Sequence, residues 1–291
     1  RPRLVVVPVV LLIDSPDDPR LEQFRLRERE LRPRRIPARM AKGLTPADLE
    51  RVSAGHFVAE GDLVVERAIA AGCRPVAVLT DSESPAPIVD ALDPEVPVYA
   101  ARHEARRMLT GLGVALDVIA LFDRPPTLEL DDLLPHCRHL LLAEDVDNPT
   151  NIGAISRSAA AFGVDGLILD RNSADPLARR ALRVSMGVAL SMRHCRVDDV
   201  SSVVPKLQSR GWLVCGLTPR ADARDIATVP VDANSRVAIV LGSERVGLRT
   251  ETMNVVDHLV RIPMANGIDS LNVAAAAAVA CHSLLARTLS A

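Results

Sequence analysis

The sequence predicts an α/β protein in two parts, a larger C-terminal domain built on a parallel sheet and a smaller α/β domain ahead of it. Three observations carry this expectation. Apolar strand-like runs alternate with helical segments along most of the 291 residues, 48% of which are hydrophobic, and such alternation implies a mostly parallel sheet covered on both faces. Phe122-Asp123-Arg124-Pro125-Pro126 interrupts the pattern, and a polar stretch continues to Pro135, which marks a boundary. Three loops of distinctive composition leave strand ends in the second part, where sheets of this kind bind ligands. The expected boundaries are residues 1–124, a linker at 125–136, and residues 137–291.

In the first part, a helix is expected from Val58 to Ala71, ended by Gly72. Strands follow at Pro75 to Thr80 and Val96 to Ala100, then a helix from Arg102 to Leu112 and a strand from Val118 to Phe122. In the second part, strands are expected at His139 to Ala143, Gly166 to Leu169, Trp212 to Leu217, Arg236 to Leu241 and His258 to Ile262. Helices lie between them near Ile152 to Phe162, Val200 to Ser209 and Leu248 to Val255. Leu4 to Ile13 is apolar but too short to span a bilayer, and Pro8 interrupts it. With Asp14-Ser15-Pro16-Asp17-Asp18 after it and no small-residue cleavage site, a first strand is expected there.

The formal net charge of −2 argues against a protein that coats nucleic acid wholesale, though not against a local basic patch. Between Arg20 and Arg51 there are ten Lys/Arg against five Asp/Glu, including Arg25, Arg27, Arg29, Arg32, Arg34, Arg35 and Arg39. A solvated helix face with local pairing to Glu22, Glu28 and Glu30 accounts for the same residues. Five scattered cysteines without a CxxC fit free thiols in a reducing cytoplasm. His136-Cys137-Arg138-His139 lacks a second ligand cluster at zinc spacing, so no metal is assigned.

The last thirty residues are unusual. Ile262-Pro263-Met264 is followed after five residues by Ser270-Leu271-Asn272-Val273 and a run of alanine. A helix burying one face would alternate apolar and polar positions, whereas Ala274 to Ala280 is small on almost every side, which permits close backbone approach. Free N–H groups at a Ser/Asn helix start suit a binding loop. A plain strand, turn and N-capped helix also fits those residues alone. Two further loops follow strands in the same part: Asp147-Asn148-Pro149-Thr150-Asn151-Ile152-Gly153, running on through Arg157 to Gly163, and Gly242-Ser243-Glu244-Arg245-Val246-Gly247. No dinucleotide fingerprint, Walker loop or G-x-S-x-G elbow explains them.

Taken in order, N-P-x-N-x-G-x-x-x-R-x-A-x-x-F-G, G-S-E-x-x-G and I-P-M-x5-S-L-N-V resemble the three motifs of the SpoU/TrmH branch of the SPOUT RNA methyltransferases. Arg183-Val184-Ser185-Met186-Gly187 resembles the family's linking motif. The resemblance covers residues from about 137 to the end. Phe57-Val58-Ala59-Glu60-Gly61 is similar to the ribosomal-protein-like RNA-binding domain often fused in front of it.

The resemblance implies S-adenosylmethionine-dependent methylation of a ribose 2′-hydroxyl in RNA, without a metal, by a cytoplasmic homodimer whose sites lie at the subunit interface. It implies a parallel α/β sheet closed by a deep trefoil knot, with the alanine-rich helix as the threaded element. It also implies an RNA substrate-binding role for residues 1–124. The donor-holding positions it gives are Gly242, Gly247, Ile262, Ser270 and Leu271, with Leu241 and Met264 lining the same pocket and Leu241 equally readable as core. The catalytic group it gives is Arg157 with Asn151, Glu244, Ser270 and Asn272. A guanidinium keeps its proton throughout the accessible pH range, so Arg157 is assigned to clamping the target phosphate and easing formation of the 2′-oxyanion. Asn151, Ser270 and Asn272 orient the ribose hydroxyl, and Glu244 holds Arg157. Asn148 stands where many relatives carry Asp, and Asn266-Gly267 shifts a common glycine. Ribosomal RNA is the favoured target. Transfer RNA, or a non-catalytic RNA-binding assembly factor on the same fold, are the alternatives. With one Trp and one Tyr, an aromatic platform is a poor basis for choosing the target.

Overall fold

The computed structural model describes residues 8–32, 43, 45, 53–110, 113–265 and 270–289. Most of the basic stretch beyond Arg32, residues 4–7 of the expected first strand, and Asn266-Gly267 lie outside the described residues. The chain divides into two compact units, 1–126 with 177–190, and 127–176 with 191–291.

The first unit is built on a five-stranded sheet: β1 (Val10–Ile13), β2 (His56–Glu60), β3 (Pro75–Asp81), β4 (Val98–Ala101) and β5 (Val118–Asp123), in the order β1-β4-β3-β5-β2. β1, β4 and β3 run parallel, and β5 is antiparallel to both β3 and β2. β2 corrects the expected start of a helix at Val58. Phe57 to Glu60 are buried and pair with Ile119 to Phe122, and Gly61, at φ 88°, turns the chain into the shorter helix Asp62–Ala70. That backbone region favours glycine. The expected helix after β4 is present as His103–Thr110.

Arg106 of the 103–110 helix is the largest fully buried side chain. Its guanidinium donates to the carbonyls of Ala101 (3.1 Å) and Leu116 and pairs with Asp81. One side chain therefore ties β3, β4 and the turn before β5. Elsewhere in the unit, Glu60 is buried between Arg179 (3.1 Å) and Arg183 (3.7 Å). Burial raises its pKa, and the two arginines only partly offset this. These arginines belong to the helix Arg179–Val184, so part of the linking motif packs with the first unit.

The second unit is a seven-stranded sheet, parallel throughout. Its strands are β6 (His139–Glu144), β7 (Gly166–Asp170), β8 (Arg193–Val197), β9 (Trp212–Leu217), β10 (Arg224–Asp225), β11 (Arg236–Gly242) and β12 (His258–Arg261). They lie in the order β10-β12-β9-β11-β6-β7-β8. β6, β7 and β11 are buried almost throughout, as parallel strands covered on both faces require. The edge strands β8 and β10 add to the five expected. β10 has only two residues, and β8 carries exposed Arg193 and Arg196 in place of the apolar run that marks a central strand.

The helix Pro149–Ala161 starts on Asn148, whose side chain accepts from Thr150 N at 2.9 Å. Asparagine caps this helix as aspartate would. The C-terminal helix Val273–Leu289 packs on the 149–161 helix through its small residues, burying Ala277, Ala280, Cys281, Leu284 and Leu285. At its far end Thr288 Oγ1 donates to Leu285 O (2.7 Å) and lies 2.9 Å from His139 Nε2, while the buried Nδ1 of His139 has no partner among the described residues. Cys137 Sγ turns instead to Leu133 O, so these residues of the His136 to His139 run face different neighbours. Among the described residues no group of three or more His, Cys, Asp or Glu could hold a metal, and no helix is long and apolar enough to cross a membrane.

Replacing Arg106 with Met should destabilise the first unit by about 2–4 kcal/mol, because Asp81 and two carbonyls lose their donor. Urea denaturation reads this, and an unchanged midpoint would remove Arg106 from its structural role. Burial lowers the pKa of His139 below its usual 6.5. The unfolded chain therefore takes up the proton more readily, and the stability of neutral His139 is complete above pH 6.5 and falls as pH drops below it. Melting curves from pH 7.5 to 5 should show this loss, and His139→Gln should flatten it.

Candidate functional site

Because every strand of the second unit points the same way, the loops after β6, β9, β11 and β12 all emerge at one end. β12, β9 and β11 are neighbours, and above their carboxyl ends lies a cavity of 420 Å³. It gathers all seven positions expected to hold the donor: Leu241, Gly242, Gly247, Ile262, Met264, Ser270 and Leu271. Leu241 is only 1% exposed, so it serves as core and cavity wall together.

The loop after β11 closes tightly on itself. Gly247 N donates to Ser243 O at 2.9 Å, and Gly247 takes φ 74°. A Cβ on Gly242 would collide with the backbone of Gly247 and Leu248. Glycine at 242 is thus a steric requirement of the loop that walls the cavity. Beneath it, buried Glu144 accepts from the backbone N of Arg249 (2.7 Å) and from the Thr252 hydroxyl. Burial raises the Glu144 pKa against those bonds. The Arg249 side chain spans Asp145 (2.6 Å) and Asp170 (3.1 Å). Burial acts to raise the Asp145 pKa, yet bonds from Asn172 and Arg249 hold it below the usual value.

Three of the expected catalytic residues form one hydrogen-bonded cluster. Glu244 Oε1 accepts from Asn151 Nδ2 and, at 3.3 Å, from Asn272 Nδ2, which also donates to Asn151 Oδ1 at 3.1 Å. Asn272 Oδ1 turns the other way and accepts from Ala274 N (3.0 Å) and Ala275 N (3.4 Å), capping the C-terminal helix. Helix start, first loop and second loop therefore meet at one amide. A second tie between the same loops is the ion pair of Arg245 with Asp147 at 3.2 Å. Ser270 lines the cavity beside this cluster.

Arg157 does not join it. It lies six positions after Asn151, about 120° away around the helix, and is exposed. Among the described residues it has no hydrogen-bond or ion-pair partner, and Glu244 is engaged by the two asparagines instead. The expected pairing of Glu244 with Arg157 within one chain is corrected accordingly.

Sequence reasoning missed the loop Thr218-Pro219-Arg220, which lines the cavity together with Leu217, Val246, Leu248 and Met253. The signal was available. Trp212 to Leu217 reads as a strand, and ligands gather beyond the carboxyl ends of parallel strands.

A model of the SpoU rRNA Methylase family matches residues 138–282. A Mycobacterium tuberculosis protein described as an uncharacterized tRNA/rRNA methyltransferase is 34% identical over 271 residues, 92% of this chain and 89% of the relative. The 23S rRNA (guanosine-2'-O-)-methyltransferase RlmB of Acinetobacter baylyi is 32% identical over 192 residues, 64% of this chain and 77% of its own. Among solved structures, an RNA 2'-O ribose methyltransferase superposes with a TM-score of 0.74 at 26% identity, covering 96% of this chain and 100% of that one. The SpoU methyltransferase AviRb of Streptomyces viridochromogenes shares the fold, with a TM-score of 0.74 at 23% identity over 94% and 99% of the two chains. The matched motifs, the relatives spanning most of both chains and the shared fold agree: this chain belongs to the SpoU rRNA methylase family.

Proposed function

We propose that this protein transfers a methyl group from S-adenosylmethionine to a ribose 2′-hydroxyl in RNA, with ribosomal RNA as its substrate. The observation that carries this reading is the cavity over β12, β9 and β11, where the donor-holding positions of the family lie beside Glu244 and Ser270. Backbone N–H and C=O groups of the loops at Gly242, Ile262 and Leu271 would read the adenine edge, and Leu241 and Met264 would cover it. The AdoMet complex of AviRb and the ribosomal target named for RlmB support the choice of donor and substrate.

In this reading the donor supplies an electrophilic methyl at its sulfonium; the ribose 2′-oxygen attacks that carbon in line, the carbon–sulfur bond breaks to release S-adenosylhomocysteine, and the hydroxyl proton passes to solvent. Ser270 and the Asn151–Glu244–Asn272 cluster orient the hydroxyl. Arg157 clamps the neighbouring phosphate and stabilises the developing oxyanion. Its exposed position, without a partner among the described residues, suits delivery into the site of a second copy. The outward faces of the 149–161 and 273–289 helices, with Ala161, Ala275 and Val279 exposed, would form that homodimer contact. The C-terminal helix leaves β12, two strands from β11, and returns to pack on β11 and the 149–161 helix. That return supports a knotted path in which it is threaded beneath the preceding loops. The first unit, residues 1–126 with 177–190, would select the RNA in the cytoplasm.

Tritium-methyl transfer to ribosomal RNA, followed by mapping of ribose-methylated positions, tests the reading, and absence of any labelled ribose would overturn it. Arg157→Ala should lower transfer by at least about a hundredfold while leaving donor affinity within about threefold, as calorimetry reads. Full activity in that variant would remove Arg157 from the chemistry. Gly242→Ala should abolish donor binding, because the new Cβ displaces the Gly247 loop; wild-type affinity in that variant would show that the loop tolerates the shift.

A further inference from the structure

We propose that Arg220 is a specificity-determining residue, its guanidinium receiving the carboxylate at the amino-acid end of the methyl donor. This rests on the donor being S-adenosylmethionine. β9 lies between β12 and β11, so a ligand held at both Ile262 and Gly242 must cross the loop that leaves β9. The start of that loop is anchored to β12. Thr218 N continues the ladder to Val260 O at 2.9 Å, and Asp222 accepts from Arg220 Nε at 2.9 Å and Nη2 at 2.7 Å. These bonds orient the guanidinium and leave Nη1 without a partner among the described residues.

The charges along the cavity favour one orientation of a zwitterionic donor. Its described lining contains two cations, Arg220 and Arg245, and one anion, Glu244. Arg245 directly follows Glu244, is tied to Asp147 and has a side chain 82% exposed. A carboxylate on either arginine stands beside the one already paired there, Asp147 at Arg245 and Asp222 at Arg220, but at Arg245 it would also adjoin Glu244 on the same loop. Arg220 belongs to a different loop, so the donor can set its sulfonium and ammonium toward Glu244 and its carboxylate toward Arg220. A guanidinium already held by one carboxylate loses little rotamer freedom on meeting a second. Charge-assisted bonds of this kind are among the stronger ones available.

The test compares S-adenosylmethionine with its decarboxylated analogue by calorimetry on the full chain. Arg220→Gln should weaken S-adenosylmethionine binding by about tenfold to a hundredfold and change decarboxylated S-adenosylmethionine by less than about threefold. Arg220→Lys should recover part of the difference. Equal loss for both ligands, no loss for either, or a selective loss in Arg245→Gln in place of Arg220→Gln would overturn the assignment. Failure of the wild-type protein to bind either ligand would instead overturn the underlying choice of donor. Arg220 is solvent-exposed, so its variants should fold, and unchanged melting curves confirm this.

Discussion

The second unit depends on one constraint, the parallel register of β12, β9, β11 and β6. Parallel pairing sends every loop out at the same end, and the central position of β9 and β11 brings three of those exits together over a single cavity. Closure of that cavity then rests on a contact that permits no side chain, the backbone of Gly242 against that of Gly247 and Leu248. Sheet topology supplies the convergence, and a missing Cβ supplies the fit. Glu144 and Arg249 hold the same loop from below through a buried carboxylate and a backbone amide, so the wall is supported from both sides.

The polar cluster works on a different principle. Asn151, Glu244 and Asn272 come from three separate stretches of sequence, and the exposed Glu244 and Asn272 satisfy the amide of buried Asn151. Arg157 stands outside this cluster, exposed and without a partner among the described residues. A charged group kept free of local carboxylates is available to an external anion, and the nucleic-acid backbone is the anion that the proposed substrate presents.

Much of this was legible in the sequence, for identifiable reasons. β6, β7 and β11 are buried nearly throughout, so their apolar runs stand out, and motif loops follow β6, β11 and β12 directly. β8 and β10 were not legible because edge strands expose arginines and carry no such run. β2 was misread because Val58 and Ala59 suit a helix as well as a strand, and pairing with β5 decides between them. At the site, local motifs located Gly242, Ile262 and Leu271, but Thr218 to Arg220 has no motif of its own and becomes visible only once β9 is placed between its neighbours. The partner of Glu244 was likewise beyond reach, since spacing along the 149–161 helix does not say that Asn151 faces the cluster while Arg157 faces out.

The amide of Asn272 couples two properties that are usually separate. Its oxygen holds the first turn of the C-terminal helix, and its nitrogen holds the polar cluster. Fraying of that turn and loss of the cluster are therefore one event, and the working fraction of the protein follows the helix-coil balance of its first few residues. Aspartate, an equally good cap, would set a second carboxylate against Glu244. The position thus admits a narrower range of side chains than capping alone would allow, and a ligand that orders the cluster would also stiffen the first turn of that helix.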